Sequence, residues 1–438
     1  MRSIAGALFL LVLGVEHLTW AEDDRALRAL TLDQALVELD SQSPTLVQAR
    51  SRVVEARALA TQAAVPLLPT VVAAGGYARN SADARVDFSG TPLASIHPGA
   101  LVIQPIGVWT VSGTVRVPLI VPNAWAEWAA IQRAADAAAA TAESARLQLR
   151  ASLAQAAWAA AAAEEIVAVS ERAVIVAEEH RRSAARGVTA GTEAPLSLLK
   201  AETEVVKRQS DLAQARANRE RSQLALGVLL GKAEPLRVLL PSLASGEAAQ
   251  QVETLVVEAL QGRPELAAHE AQIRSAQAQA RAARLRWLPQ ISGSGTVFAA
   301  DVPYPTGKKD GWRLTLDALW PLYDGGLASG KRDQAEAALA TVRAAAEAQR
   351  LGIVQEVQDT RRDVSVAGER LRLAEQQREL ATAAAASAKR TFEAGVASSL
   401  DVLDANDKLY QAEVAMADAR GRLGIARVAL DRALGRMR

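Results

Sequence analysis

The segment SPTLVQARSRVVEARALATQAAVPLLP, Ser43 to Pro69, is answered by RPELAAHEAQIRSAQAQARAARLRWLP, Arg263 to Pro289, with Pro69 and Pro289 lying 220 positions apart. Val53, Ala56, Ala60, Ala63 and Leu67 of the first copy correspond to Ile273, Ala276, Ala280, Ala283 and Trp287 of the second. Their steps of three and four are the seam of packed helices, and a seam repeated at matching positions identifies an internal duplication.

After each of these helices the period changes to two. In WTVSGTVRVPL, Trp109, Val111, Gly113, Val115 and Val117 share one face, while Thr110, Ser112, Thr114 and Arg116 share the other. In WRLTLDALWPL, Trp312, Leu314, Leu316, Ala318 and Trp320 oppose Arg313, Thr315, Asp317 and Leu319. Such alternation, with tryptophans at the ends of the apolar face, suits a strand with lipid on one side and water on the other, and assigns Trp109, Trp312 and Trp320 to the membrane interface. A half-buried strand of a soluble sandwich alternates too. Upstream partners begin at Thr70 and Gln290, which gives hairpins over about 70–118 and 290–321. Four strands close no membrane barrel, since the smallest have about eight, so several chains must contribute.

Each hairpin precedes a helix far longer than a globular domain accommodates, about 125–186 and 327–392, or roughly 90 to 100 Å at 1.5 Å per residue. Asn123 is expected to cap the first. These helices end at Gly191 and Gly395, and return helices over about 196–230 and 399–434 run back to Gly231 and Gly435. Both pairs of glycines keep one displacement, 204. A short helix before the hairpin and a return helix after it together match one long helix, so two stacked short helices can lie along each long one. The organisation expected is a first repeat over 22–231, a linker or equatorial segment over 232–261 and a second repeat over 262–438. Residues 1–21 read as a secretory signal: their twelve-residue apolar run, Ile4 to Val15, reaches only ~18 Å against a hydrocarbon core of ~30 Å.

Composition narrows the functions. Half the residues are apolar but only 4% aromatic, which favours close-packed alanine-rich helices over a large globular core. Fifty basic against forty-nine acidic residues, with no basic cluster, argue against nucleic-acid binding. The absence of cysteine removes thiolate metal sites and disulfides. There is no nucleophile–base pair, phosphate-cradling loop or metal ligand set, so no enzyme, cofactor or metal centre is expected.

In FEAGVASSLDVLDANDKL, Phe392 to Leu409, Ser398 and Asp401 form a capping box and Asp404 with Lys408 an i, i+4 pair. Paired carboxylates of an enzyme would need a concave pocket and further catalytic groups, which the small apolar neighbours do not supply.

The order, spacing and duplication of these elements resemble the TolC family of outer-membrane efflux proteins. The matching pieces are the SP-x-L and RPEL helix starts, the LP before each first strand, WPLYDGG (Trp320 to Gly326) and AGVASSLDVLDA (Ala394 to Ala405). The resemblance implies a mainly α chain with membrane β: long antiparallel coiled-coil helices form an α-barrel, and four strands per chain contribute to a twelve-stranded barrel of a homotrimer in the outer membrane of a Gram-negative bacterium. It implies passive conduction, in drug efflux, metal export or type I secretion, with a periplasmic adaptor and an inner-membrane pump of RND or ABC type. It also implies that Asp401 and Asp404 form stacked acidic rings at the periplasmic mouth, favouring cations. Family members often close that mouth through an aromatic hydroxyl and an arginine; Phe392 and Ala397 stand there in this chain, so packing of Phe392 is expected to replace polar links. The other reading is a periplasmic coiled-coil adaptor or structural protein, which predicts one helical hairpin and a β-rich remainder.

Overall fold

The computed structural model describes residues 28–92, 100–241, 251–304 and 307–437. The signal segment 1–21 lies outside them. In chain order the elements are β1 (Ala29–Thr31), α1 (Leu32–Gln42), α2 (Pro44–Ala63), β2 (Thr70–Arg79), β3 (Ala84–Asp87), β4 (Ala100–Gln104), β5 (Gly107–Ile120), α3 (Pro122–Thr189), α4 (Pro195–Leu229), β6 (Arg237–Leu239), α5 (Val252–Gly262), α6 (Pro264–Leu285), β7 (Gln290–Ala300), β8 (Asp310–Leu319), α7 (Leu327–Glu393) and α8 (Ser399–Leu434).

The helices form one wall. α3, 68 residues long, packs against α2 and α4 of its own copy and against α6 and α8 of the other; α7, 67 residues long, packs against α6 and α8. Alanine makes this crowding possible, because a helix with small side chains on several faces can be approached closely from each. The seam residues Val53, Ala56, Ala60, Ala63 and Leu67 are half-buried, while Ala276 and Ala280 of α6 are buried. The tightest approach is between α8 and α3. A Cβ on Gly421 would lie 2.6 Å from that of Ala162, and one on Gly424 would fall within the Trp158 ring.

Each copy carries its own equatorial core. Ala35 and Leu39 of α1 pack with Leu153 of α3 and with Leu226 and Leu230 at the end of α4. Leu255 and Ala259 of α5 pack with Ile353 and Val357 of α7 and with Leu430 and Leu434 at the end of α8. The first pair of each set is displaced by 220 residues and the last pair by 204, so the duplication extends to the cores. An ion pair repeats with them: Glu38 meets Lys232 in one copy, and Glu258 meets Arg436 at 2.7 Å in the other. The segment 232–261 is therefore more than a linker, since it contains most of α5, and the first repeat has the matching helix α1. Both are only about three turns long, which leaves a short periodic signal, although Val37-Glu38 and Val257-Glu258 already carry the match.

Strands β2, β5, β7 and β8 form one antiparallel sheet in that order, with β2 and β8 as open edges. Register aligns the apolar sides of all four strands. Trp109, Val111, Gly113 and Val115 of β5 face Tyr77, Gly75, Ala73 and Val71 of β2, and β7 joins through Val297 opposite Gly113 and Gly295 opposite Val115. β8 completes the face with Trp312, Leu314, Leu316 and Ala318. Leu314 is 74% exposed and Leu316 72%. The opposite face carries Thr70, Thr110, Ser112, Thr114, Arg116, Ser294, Thr296, Arg313, Thr315 and Asp317, with Thr114 bonded to Thr296. Strands β3 and β4 extend the first hairpin beyond the sheet.

Asn123 does not cap α3. The N-cap is Val121, Pro122 occupies the first turn, and Asn123 instead accepts a hydrogen bond of 3.0 Å from Gln290 at the start of β7. Proline has no N–H to satisfy and a φ suited to helix entry, so the need for a side-chain cap falls. At the matching start of α7, Asp324 accepts from the backbone N–H groups of Gly326 and Ala328.

Replacing Gly424 by alanine tests the α3–α8 approach. Helix propensity alone favours alanine by about 1 kcal/mol, whereas insertion against the Trp158 ring costs about 1–3 kcal/mol. The apparent melting temperature of the detergent-solubilised protein should therefore fall, and a rise would show that the approach is loose.

Candidate functional site at the helical tips

Both tips close with the same turn. At the first, Gly191 has φ +71°, its N–H donates to Val188 and that of Thr192 to Gly187; at the second, Gly395 has φ +72°, its N–H donates to Phe392 and that of Val396 to Thr391. These paired bonds satisfy the last carbonyls of each long helix and reverse the chain within a few residues. No atom crowds either glycine, so the left-handed backbone, rather than space, demands it.

Charge separates the tips. Ser398 caps α8 and Asp401 closes the box, accepting from the Ser398 N–H at 2.8 Å and its hydroxyl at 2.7 Å. The hydroxyl and backbone bonds from Ser398 hold the Asp401 carboxyl below its usual range. The first tip has Ala194 at the corresponding place, without a side-chain cap. Asp401 and Asp404 are both exposed and lie one turn apart, but Asp404 is bound to Lys408 at 2.6 Å. The unneutralised charge of the pair is therefore that of Asp401.

Asp407, the third acid of the run, belongs to a different structure that sequence reading did not reveal. It reaches from α8 to α4, accepting from Lys207 at 2.9 Å and from Arg208. The Arg208 side chain is only 4% exposed, pairs also with Glu204 at 2.7 Å and Asp211 at 3.0 Å, and lies 4.2 Å above the Tyr410 ring. Burial works to raise the Asp407 pKa, but the bonds from Lys207 and Arg208 together outweigh it and hold the carboxyl below its usual range. Further ties join α8 to α3: Tyr410 to Ser170 at 3.2 Å, Glu413 to Arg172 at 3.5 Å and Arg420 to Glu165 at 2.7 Å. His180 of α3 meets Ser399 at 3.0 Å, and its ring centroid is 6.0 Å from that of Phe392. Phe392 thus packs against the other hairpin of its own chain. In sequence, Glu204 and Arg208 read as an ordinary surface i, i+4 pair, which gave no signal of burial.

The aromatic residues occupy the two ends of the sheet. Trp109, 4.9 Å from Tyr77, and Trp312 stand at the end remote from the helices; Trp320 stands at the helical end and donates from its indole to the Trp287 carbonyl at 3.1 Å. Between Trp312 and Trp320 the strand advances ~26 Å, or ~20 Å along a membrane normal at the usual tilt, comparable to the ~25 Å apolar band of such barrels.

The family model for outer membrane efflux proteins matches residues 35–232 and 255–436. The pyoverdine export outer membrane protein OpmQ of Pseudomonas aeruginosa is 27% identical over 428 residues, covering 94% of this chain and 86% of its own. The cobalt-zinc-cadmium resistance protein CzcC of Cupriavidus metallidurans is 26% identical over 322 residues, 70% of this chain and 72% of its own. Among solved structures, the CmeC outer membrane channel of Campylobacter jejuni superposes with a TM-score of 0.78 at 15% identity, covering 99% of this chain and 93% of that one.

Removing Asp407 leaves the buried Arg208 without its carboxylate partner on the other hairpin. A double-mutant cycle of Arg208→Met with Asp407→Asn, read by thermal unfolding, should give a coupling of about 1–3 kcal/mol. Because the Asp407 pKa is depressed, this contribution is complete above the ordinary carboxylate range near ~4 and disappears only as pH falls through the lower native value. Additivity of the two substitutions at pH 7 would remove the brace.

Proposed function

The chain belongs to the outer membrane efflux protein family, and from that premise we propose that three copies join into one conduit spanning the outer membrane and the periplasm. The carrying observation is the four-stranded sheet: one face is apolar, the other carries serine, threonine, arginine and aspartate with Val72 and Phe298 among them, and among the described residues both edges lack a partner. A lone sheet with free edges and an exposed apolar face is unstable in either water or lipid. Pairing β8 of each copy with β2 of the next removes every edge, turns the apolar face to lipid and surrounds a polar lumen with twelve strands. The same operation brings the exposed Leu351, Val366, Leu373 and Leu380 of α7 towards Val54, Leu199, Val206 and Val228 on α2 and α4 of a neighbour.

Conduction through this duct involves no covalent step. Its direction is imposed by an inner-membrane pump, of RND or ABC type, reached through a periplasmic adaptor that engages the helical tips. OpmQ and CzcC carry names for pyoverdine export and for metal resistance. Relatives whose names give different cargoes support a reading in which cargo is chosen by the pump and not by the conduit.

At the mouth, threefold repetition turns Asp401 and Asp404 into acidic rings, and Lys408 adds a compensating ring beside the second. Rings of acid lining a narrow pore favour cations. In planar bilayers, Asp401→Ala should reduce cation preference and block by multivalent cations more than Asp404→Ala, because only the latter removes a neutralised charge. Unchanged selectivity in the double variant would refute the ring. Cell fractionation checks the larger reading: recovery in the outer membrane as a heat-sensitive trimer is expected, and a soluble periplasmic monomer would end it.

A further inference from the structure

We propose that His180 is a positioning residue that fastens the α7–α8 tip to α3 while neutral and releases it when protonated. The inference rests on reading the tips as the movable mouth of the conduit. His180 is 7% exposed, and its Nε2 lies 3.0 Å from the hydroxyl of Ser399, itself buried. Ser399 is the first residue of α8, next to the Ser398 that caps Asp401, and the imidazole also faces Phe392 at the end of α7. One side chain of the α3–α4 hairpin therefore meets both helices of the α7–α8 hairpin within a turn of its tip.

The surroundings favour the neutral ring. The small cavity beside His180 is bounded by Arg172 of α3, by Glu204 and Arg208 of α4, and by Asn406, Tyr410 and Glu413 of α8; from α7 the ring of Phe392 faces the imidazole. Glu204 is paired with Arg208 and Glu413 with Arg172, so neither carboxylate is free to compensate an imidazolium. The N-terminal turn of α8 presents the positive end of its helix dipole to the ring. Burial accordingly holds the His180 pKa below its usual value.

A released tip exposes the imidazole to water, where it titrates near ~6.5. Below that pH the released state binds more protons than the docked state, so acidification favours release; above it the fastening is complete. Asp401 and Asp407, whose carboxyls are held below their usual range, stay ionised through this window, so the mouth charge and the Arg208 brace do not change with it.

Hydrogen–deuterium exchange of the full chain in detergent, corrected for intrinsic rates and read on peptides covering 392–403, tests the proposal between pH 7.5 and 5.5. Exchange in the wild type should rise on acidification, by up to about 10-fold for each pK unit separating the docked and released imidazole. His180→Gln, which keeps a hydrogen-bonding group but cannot be protonated there, should be flat. Ser399→Ala should already exchange faster than wild type at pH 7.5, and it carries the test if the glutamine variant fails to assemble. A flat wild type, a wild-type response in His180→Gln, or Ser399→Ala indistinguishable from wild type at pH 7.5 would each overturn the assignment. Bilayer recordings on the same samples separate the two readings: a protein that conducts at neither pH while its tip exchange responds to acid refutes the channel and leaves the fastening in place.

Discussion

The close approach of α8 to α3 is the contact on which the rest of the wall depends. Gly421 and Gly424 let the α8 backbone sit against Ala162 and Trp158, and no larger residue fits at Gly424 without displacing that indole. Together with the packing of α6 on α3, this contact joins the two copies of the duplicated unit. It fixes α8 to α3 along its middle. Close helix packing of this kind depends on small residues across the whole interface, which explains why an alanine-rich composition supports a tall wall instead of a globule.

Towards the sheet, the constraint passes from packing to hydrogen bonding. The α3 helix begins directly after β5 and α7 follows β8 after seven residues, and Asn123 of α3 is bound to Gln290 of β7, so the orientation of α3 is tied to that of the strands. Towards the tips, polar groups join the contact between hairpins: a buried arginine, a tyrosine and a histidine sit among buried Ala177, Ala201 and Val402. Buried polar contacts of this sort hold geometry tightly when complete and lose much of their strength when one member changes protonation. The contact between α3 and α8 is thus apolar in its middle and polar near the tip.

The acidic run of α8 shows how neighbouring residues acquire separate roles. Asp401, Asp404 and Asp407 are spaced by three, yet one closes a helix cap, one is neutralised by a lysine a turn away and one crosses to another helix. The first two relations are local and were readable from spacing, because helix geometry sets which side chains meet at i+3 and i+4. The third was not, because Lys207 and Arg208 are some two hundred positions away and their sequence context resembles any solvated helix face. His180 escaped for the same reason: a lone histidine in an alanine-rich helix carries no periodic signal.

The sequence by itself determined the duplication, the period of each element, the glycine-ended turns and the apolar and polar sides of the strands. All of these follow from local conformational preference and from repetition, which survive in one dimension. It missed α1 and α5 as a matched pair and misplaced the role of Asn123, since an eleven-residue helix and a capping side chain compete with equally plausible local alternatives. Only the tertiary structure decided which strand faces join, that the sheet is left with two open edges, and which buried groups bind hairpin to hairpin. Those outcomes depend on register and on contacts between residues far apart in the chain, where chain connectivity places no limit on which partner is chosen.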